Sequence, residues 1–296
     1  MKISAIPINS AAASFVRVIA CSSAGRLSAL IIKPVWRSSA PPLIEMHGMS
    51  RNSDVLAQLF APHADCTGRP VIAPHFHESD WPTFQRPCKT ARPDRALLEL
   101  LNQLEQQSPD LTGPVDLFGH SGGAQLAHRV AMLFPHRVSA LHLAAAGWYC
   151  LPDRSMPYPY GLAVGDTVTK SRWVRRKEAG LDAFLRLPLT VYVGTHDTER
   201  DMSLRQKPML DRHQGRTRLE RAQHYVKSVQ TAAGAAGHVS RARLIQMPGC
   251  VHDVEQAITE HGLAARVMGV QCDETSIQQT LEETFHDSHL ELTPHA

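Results

Sequence analysis

Pro114-Val115-Asp116-Leu117-Phe118-Gly119-His120-Ser121-Gly122-Gly123 is the stretch on which the reading of the fold turns. A short run of β-forming residues leads into Gly-x-Ser-x-Gly, and a helical pattern follows with Leu126, Val130 and Leu133 on one face. A serine on a tight strand-to-helix turn sits in strained backbone, and small residues beside it make room for that turn. Its Oγ then projects above the end of a sheet, over the amide donors of a helix N-terminus. A plain serine N-cap is the inert alternative. The preceding strand and the flanking glycines favour a nucleophile.

Strand-like and helix-like runs alternate outward from this point. Leu43–Met46, Pro70–Pro74, Arg137–Ala146, Leu189–Val193 and Arg243–Met247 read as strands. Residues from about Asp54 to Ala64, Asp94 to Gln107, Arg216 to Ala233 and Val254 to Ala265 read as helices. That alternation predicts an α/β fold: a mainly parallel central sheet with helices on both faces. Phe15–Ala20 and Leu27–Ile32, around a small-residue turn, predict an antiparallel hairpin at its N-terminal edge. The expected organisation is one domain over residues 1–272, a small cap or lid at about 148–187, and an acidic C-terminal tail over 273–296. The tail carries six acidic residues and no Lys or Arg.

The 296 residues are 43% hydrophobic and 20% charged, which excludes a wholly disordered or repetitive chain. A net charge of +3 is too weak to argue for nucleic acid. No stretch approaches the roughly 20 apolar residues of a membrane span. The first residues, broken by Pro7, Asn9 and Arg17, make a poor signal peptide, so a cytoplasmic location is expected. None of the six cysteines forms a C-x-x-C pair, and free thiols are expected.

A serine hydroxyl needs a base to take its proton. Of the 17 histidines, His252 is singled out by position, just past the last strand. Carboxyl ends of parallel strands share one edge, and that edge is where Ser121 stands. Asp197, just past the preceding strand, is the expected partner that orients the imidazole; Asp201 is the competitor and Asp153 a weaker one. His47-Gly48-Met49-Ser50 ends an early strand, so the Met49 and Gly122 amides are the expected oxyanion donors. His47, His75, His120, Trp148 and Tyr149 are candidates to line the substrate pocket. His75-x-His77 with Asp80 has no third ligand at zinc spacing, so no metal is expected. The basic run Lys170–Lys177 reads as a solvated helix face, with attraction of an anionic substrate or surface as the alternative.

The order Ser121, Asp197, His252, with both glycine motifs, resembles the α/β-hydrolase superfamily of the serine esterase and lipase type. The resemblance spans residues 15 to about 268. His47-Gly48-Met49-Ser50-Arg51-Asn52, with Pro74-His75-Phe76, is similar to the polyhydroxyalkanoate-depolymerase-like branch of bacterial esterases. The resemblance implies hydrolysis of a small-molecule carboxylic ester through an acyl-enzyme, without a cofactor. Thioester, lactone or amide cleavage and acyl transfer use the same triad, and a non-catalytic ligand-binding protein is the alternative from another class. Oligomeric state and physiological substrate stay open.

Overall fold

The computed structural model describes residues 13–108, 111–164 and 167–270. The acidic tail expected over 273–296 lies outside the described residues, as does Cys272. Ser14–Ser22 (β1) and Gly25–Lys33 (β2) form the expected hairpin, paired antiparallel from Ser14–Lys33 to Ser22–Gly25. Then follow Leu43–Met46 (β3), Val71–His75 (β4), Val115–His120 (β5), Val138–Ala144 (β6), Leu189–Gly194 (β7) and Ala242–Met247 (β8). They make one eight-stranded sheet in the order β1-β2-β4-β3-β5-β6-β7-β8. β2 pairs antiparallel with β4, and all pairs from β4 to β8 are parallel. β3, β5 and β7 are buried along their whole length, as expected of parallel strands covered on both faces.

The helices divide between the two faces. Pro93–Gln107 (α2), Gly122–Leu133 (α3), Val168–Leu185 (α4) and Arg218–Ala235 (α6) bury Leu97, Leu100, Leu126, Val130, Phe184 and Tyr225 in the larger core. Ser53–Thr67 (α1), Val254–Thr259 (α7) and Leu263–Met268 (α8) bury Leu56, Phe60, Ile258 and Leu263 on the other face. Pro208–Gln214 (α5) is a short helix packed on α6, and its apolar spacing is too brief to be read from sequence.

The single helix expected from Val254 to Ala265 is two short ones. Gly262, with φ of 62°, lies between them in left-handed backbone that no right-handed helix continues through. Asp253 caps the first of the pair, accepting from the Glu255 and Gln256 amides. No helix among the described residues is long and apolar enough to cross a membrane. The five cysteines among the described residues are free.

Glu45, in the middle of β3, is fully buried and neither carboxylate oxygen has a partner. Burial pushes its pKa well above the usual carboxylate range, so it folds as the neutral acid. A raised acid pKa means that the folded state binds the extra proton. The stability it supports is full below the unfolded pKa of about 4.3 and falls as pH rises, by up to about 1.4 kcal/mol per pH unit. Glu45→Gln is therefore expected to be as stable as the parent near pH 4 and increasingly more stable from pH 5 to 8. Urea denaturation across that range checks this, and equal slopes for both proteins would contradict it.

Candidate active site

Ser121 follows β5 with φ 52° and ψ −109°, a conformation that few non-glycine residues adopt. The strain is held from two sides. The Ser121 amide donates to the Ala144 carbonyl at 2.8 Å, and its carbonyl accepts from the Gln125 amide at 3.1 Å. The glycines on either side make the turn possible. A Cβ on Gly119 would overlap the backbone of Gly123, and one on Gly123 would overlap the Met46 and His47 carbonyls at the end of β3. The start of α3 therefore packs backbone to backbone against the neighbouring strand.

His252 reaches this turn from the loop after β8. Ser121 Oγ lies 3.2 Å from His252 Nε2, and His252 Nδ1 lies 2.9 Å from Asp197 Oδ2. The carboxylate accepts, so Nδ1 carries the proton and Nε2 is free to accept from the serine. The loops after β7 and β8 are joined to each other. Thr195 N donates to the Met247 carbonyl, His196 N to the Cys250 carbonyl, and Gly249 N to Thr195 Oγ1. That joint brings Asp197 and His252 to one place although 55 residues separate them.

Asp201 does not contact His252. It is bonded by Arg218 at 2.9 and 3.3 Å and by Ser203. Partial burial opposes its ionisation, yet the Arg218 and Ser203 hydrogen bonds and the Arg218 charge hold its carboxyl well below the usual range. Asp153 binds the amide and hydroxyl of Ser155 and closes a local turn. Arg218 itself was not legible in the sequence. It is buried at the start of α6, where its Nη1 reaches Asp197 Oδ1 at 3.4 Å. One guanidinium thus fixes Asp197 from the side opposite His252. In sequence it is one arginine in a polar helix start, with no pattern to mark it.

His47 is buried, and burial lowers its pKa to about 4, so it is neutral. Phe76 N donates to its Nε2 at 3.0 Å, which leaves Nδ1–H to donate to the Gly48 carbonyl at 2.8 Å. Arg51 N donates to the same carbonyl at 3.2 Å. A trans peptide points its N–H opposite its C=O. Both donors therefore turn the Met49 N–H away from themselves. Gly48 lies against Ser121: a Cβ there would stand 3.5 Å from the serine Cβ. Arg51, at φ 58°, ties this loop to the one after β4 through the carbonyls of Phe76 and Trp81 and lies over the Phe84 ring.

The expected pocket residues separate into two groups. His120 stacks on His252 with ring centroids 5.0 Å apart, and burial, with the Arg218 charge nearby, pushes its pKa well below the usual imidazole range. Trp148 lines a cavity of about 290 Å³ at the carboxyl edge of the sheet, with Thr83 and Tyr158. His75 faces Ser53, whose Oγ is 2.7 Å from its Nδ1, and His77 is held by Ser79. Tyr149 is not among the residues that line this cavity. It is fully buried and stacks on Tyr225 at 4.0 Å, because its backbone is pinned to the Gln214 side chain at both amide and carbonyl.

The alpha/beta hydrolase fold family matches residues 41–212. Among curated proteins, none matches the chain. Solved structures share the fold. A poly(3-hydroxybutyrate) depolymerase from Bordetella parapertussis is 24% identical with a TM-score of 0.72, over 90% of this chain and 94% of that one. Poly(aspartic acid) hydrolase-1 from Sphingomonas sp. KT-1 is 24% identical with a TM-score of 0.70, over 85% and 97%. An S-formylglutathione hydrolase from Staphylococcus aureus is 11% identical with a TM-score of 0.55, over 87% and 98%.

The close approach at Gly123 has a measurable consequence. Gly123→Ala forces its Cβ into two carbonyls, an overpacking that costs about 1–3 kcal/mol. For a chain of this size that lowers the melting temperature by roughly 2–12 °C. Thermal denaturation checks it, and an unchanged melting temperature would show that the strand and helix need not touch.

Proposed function

The chain belongs to the alpha/beta hydrolase fold family, and on that premise we propose that it is a serine hydrolase cleaving a carboxylic ester. The observation that carries this reading is the chain of hydrogen bonds from Ser121 Oγ through His252 to Asp197, on a strained turn. Ser121 attacks the carbonyl carbon while His252 Nε2 takes its proton. Asp197 holds the imidazole in the right tautomer and stabilises the imidazolium. The Met49 and Gly122 amides donate to the oxyanion. His252 then protonates the departing alcohol, leaving an acyl group on Ser121. Water, deprotonated by the same imidazole, attacks the acyl carbon, and the proton returns to the serine as the acid leaves.

His47 supports this role from outside. By holding the Gly48 carbonyl it keeps the Met49 N–H turned towards the site before substrate arrives, so little reorganisation accompanies the attack. The names of the neighbours span poly(aspartic acid), poly(3-hydroxybutyrate) and S-formylglutathione, so the fold does not choose the acyl bond. The ester reading rests on the His47–Asn52 motif and the resemblance it carries. The cap is proposed in a narrower form than residues 148–187. Trp148, Tyr158 and Pro159 line the cavity, whereas α4 packs on α3 and α6 as a sheet-covering helix.

Hydrolysis of 4-nitrophenyl butyrate tests the assignment. Ser121→Ala and His252→Ala are each expected to lower kcat/KM by about 10⁴ or more. Asp197→Asn is expected to lower it by about 10³–10⁴, because the imidazole loses its orienting acceptor. Asp201→Asn is expected to lower it less than tenfold, since that carboxylate meets Arg218, Ser203 and the Leu204 amide rather than His252. Near-full activity in Ser121→Ala would refute the nucleophile. A larger loss in Asp201→Asn than in Asp197→Asn would move the acid.

A further inference from the structure

The cavity beside Trp148 holds positive charge that no carboxylate among the described residues pairs with. Arg86, Arg129 and Arg205 all line it. They arrive on different elements: the loop after β4, the middle of α3 and the loop after β7. None of the three pairs with a carboxylate among the described residues. Arg129 is the most telling. It is 5% exposed, its Nη1 donates to the Gln125 and Gln85 carbonyls, and its Nη2 is buried with no partner. Burial, with a smaller contribution from Arg86 nearby, lowers its pKa to about 10, and it remains a cation at neutral pH. Lys177, buried nearby, reaches the Met132 sulfur, and Asp94, the carboxylate whose charge acts on it, is already paired with Arg92.

Trp148 holds two of these guanidiniums in place. Arg129 lies over its ring at 4.2 Å and Arg205 at 5.6 Å. Arg205 Nε donates to Tyr160 Oη at 2.8 Å, which orients the rest of its fork. An unpaired buried cation is costly to a fold, and a donor with no acceptor adds to the cost. Both costs vanish when an anion enters. Planar forks set on an aromatic floor suit a carboxylate, which accepts two parallel bonds from one guanidinium. The lining residues include no helix N-terminus, a usual phosphate cradle.

The cavity also lies within reach of Ser121. Gly122 faces Phe84, whose neighbour Thr83 lines the cavity. Arg129 stands eight residues after Ser121 on the same helix, and its Nη1 folds back to the Gln125 carbonyl. At 1.5 Å per residue that places the guanidinium on the order of 10 Å along the helix from the serine. We propose that this cavity is an anion subsite, and that the substrate is an ester carrying a carboxylate roughly 10 Å from the bond that is cleaved. The proposal rests on the hydrolase reading for the position of that bond; the anion subsite itself does not.

The test uses 4-nitrophenyl half-esters of linear dicarboxylic acids, from succinic to sebacic, each beside its methyl-capped counterpart. The quantity read is the ratio of kcat/KM for the free carboxylate to that for the capped ester. Charge-assisted bonds of this kind give an expected ratio of about 10–100 at the best chain length. Arg86→Gln and Arg205→Gln, both at partly exposed positions, are expected to lower that ratio at least fivefold, and Arg129→Gln to bring it near 1. Arg17→Gln, which removes an exposed charge on β1, is expected to leave the ratio unchanged. Binding is read separately, as the rise in melting temperature that adipate gives to Ser121→Ala protein and that Arg205→Gln diminishes. A wild-type ratio near 1 at every length, with both esters turned over, would overturn the subsite and leave the hydrolase standing. Adipate stabilisation without turnover of any ester would do the reverse.

Discussion

Gly123 meets the carbonyls of Met46 and His47 with no space for a side chain, and the geometry of the site descends from that contact. It sets α3 directly against the end of β3. The helix can start there only if the chain turns sharply after β5, and the turn puts Ser121 at a positive φ with its half-buried side chain above the sheet. The same contact places the His47–Arg51 loop beside the serine. One backbone approach therefore positions both the serine and the loop that lies against it. The energy that holds the strain comes from elsewhere, from strands buried on both faces and from the two cores that clamp the sheet.

Electrostatics at this edge is organised by burial and by Arg218. His47 and His120 are kept neutral by their surroundings, so they serve as fixed hydrogen-bonding and stacking groups. Their lowered pKa values have a linkage consequence. The folded state must take up fewer protons than the unfolded chain, so stability is lost as pH falls from about 6.5 towards 4. Glu45 acts in the opposite direction at higher pH. Between them, Asp197 stands between an imidazole and a guanidinium, and Asp201 shares the same guanidinium from the exposed side.

Much of this was legible in the sequence, and the reason is locality. The Gly119–Gly123 turn and each buried strand are written in fewer than ten consecutive residues, and the hairpin in twenty. Parallel topology then carries Ser121, Asp197 and His252 to one edge, because each lies just past a strand end. What was not legible depends on residues far apart in the chain. Arg218 matters only because β7 returns its loop to α6. Arg86, Arg129 and Arg205 are scattered over 120 positions and read singly as ordinary surface cations. Trp148 and Tyr149 are adjacent in sequence, yet the first lines the cavity and the second stacks on Tyr225. The break at Gly262 was passed over because the apolar residues on its two sides keep a helical spacing.

The central claim is that Ser121 is an activated nucleophile, and a fluorophosphonate probe addresses it most directly. Such a probe loses fluoride to a serine oxygen only where a base takes the hydroxyl proton. Intact mass of the treated protein, followed by peptide mapping, is expected to show one adduct, on Ser121, and none on Ser121→Ala. A folded wild-type protein that takes up no probe, or takes it up at another residue, would contradict the account.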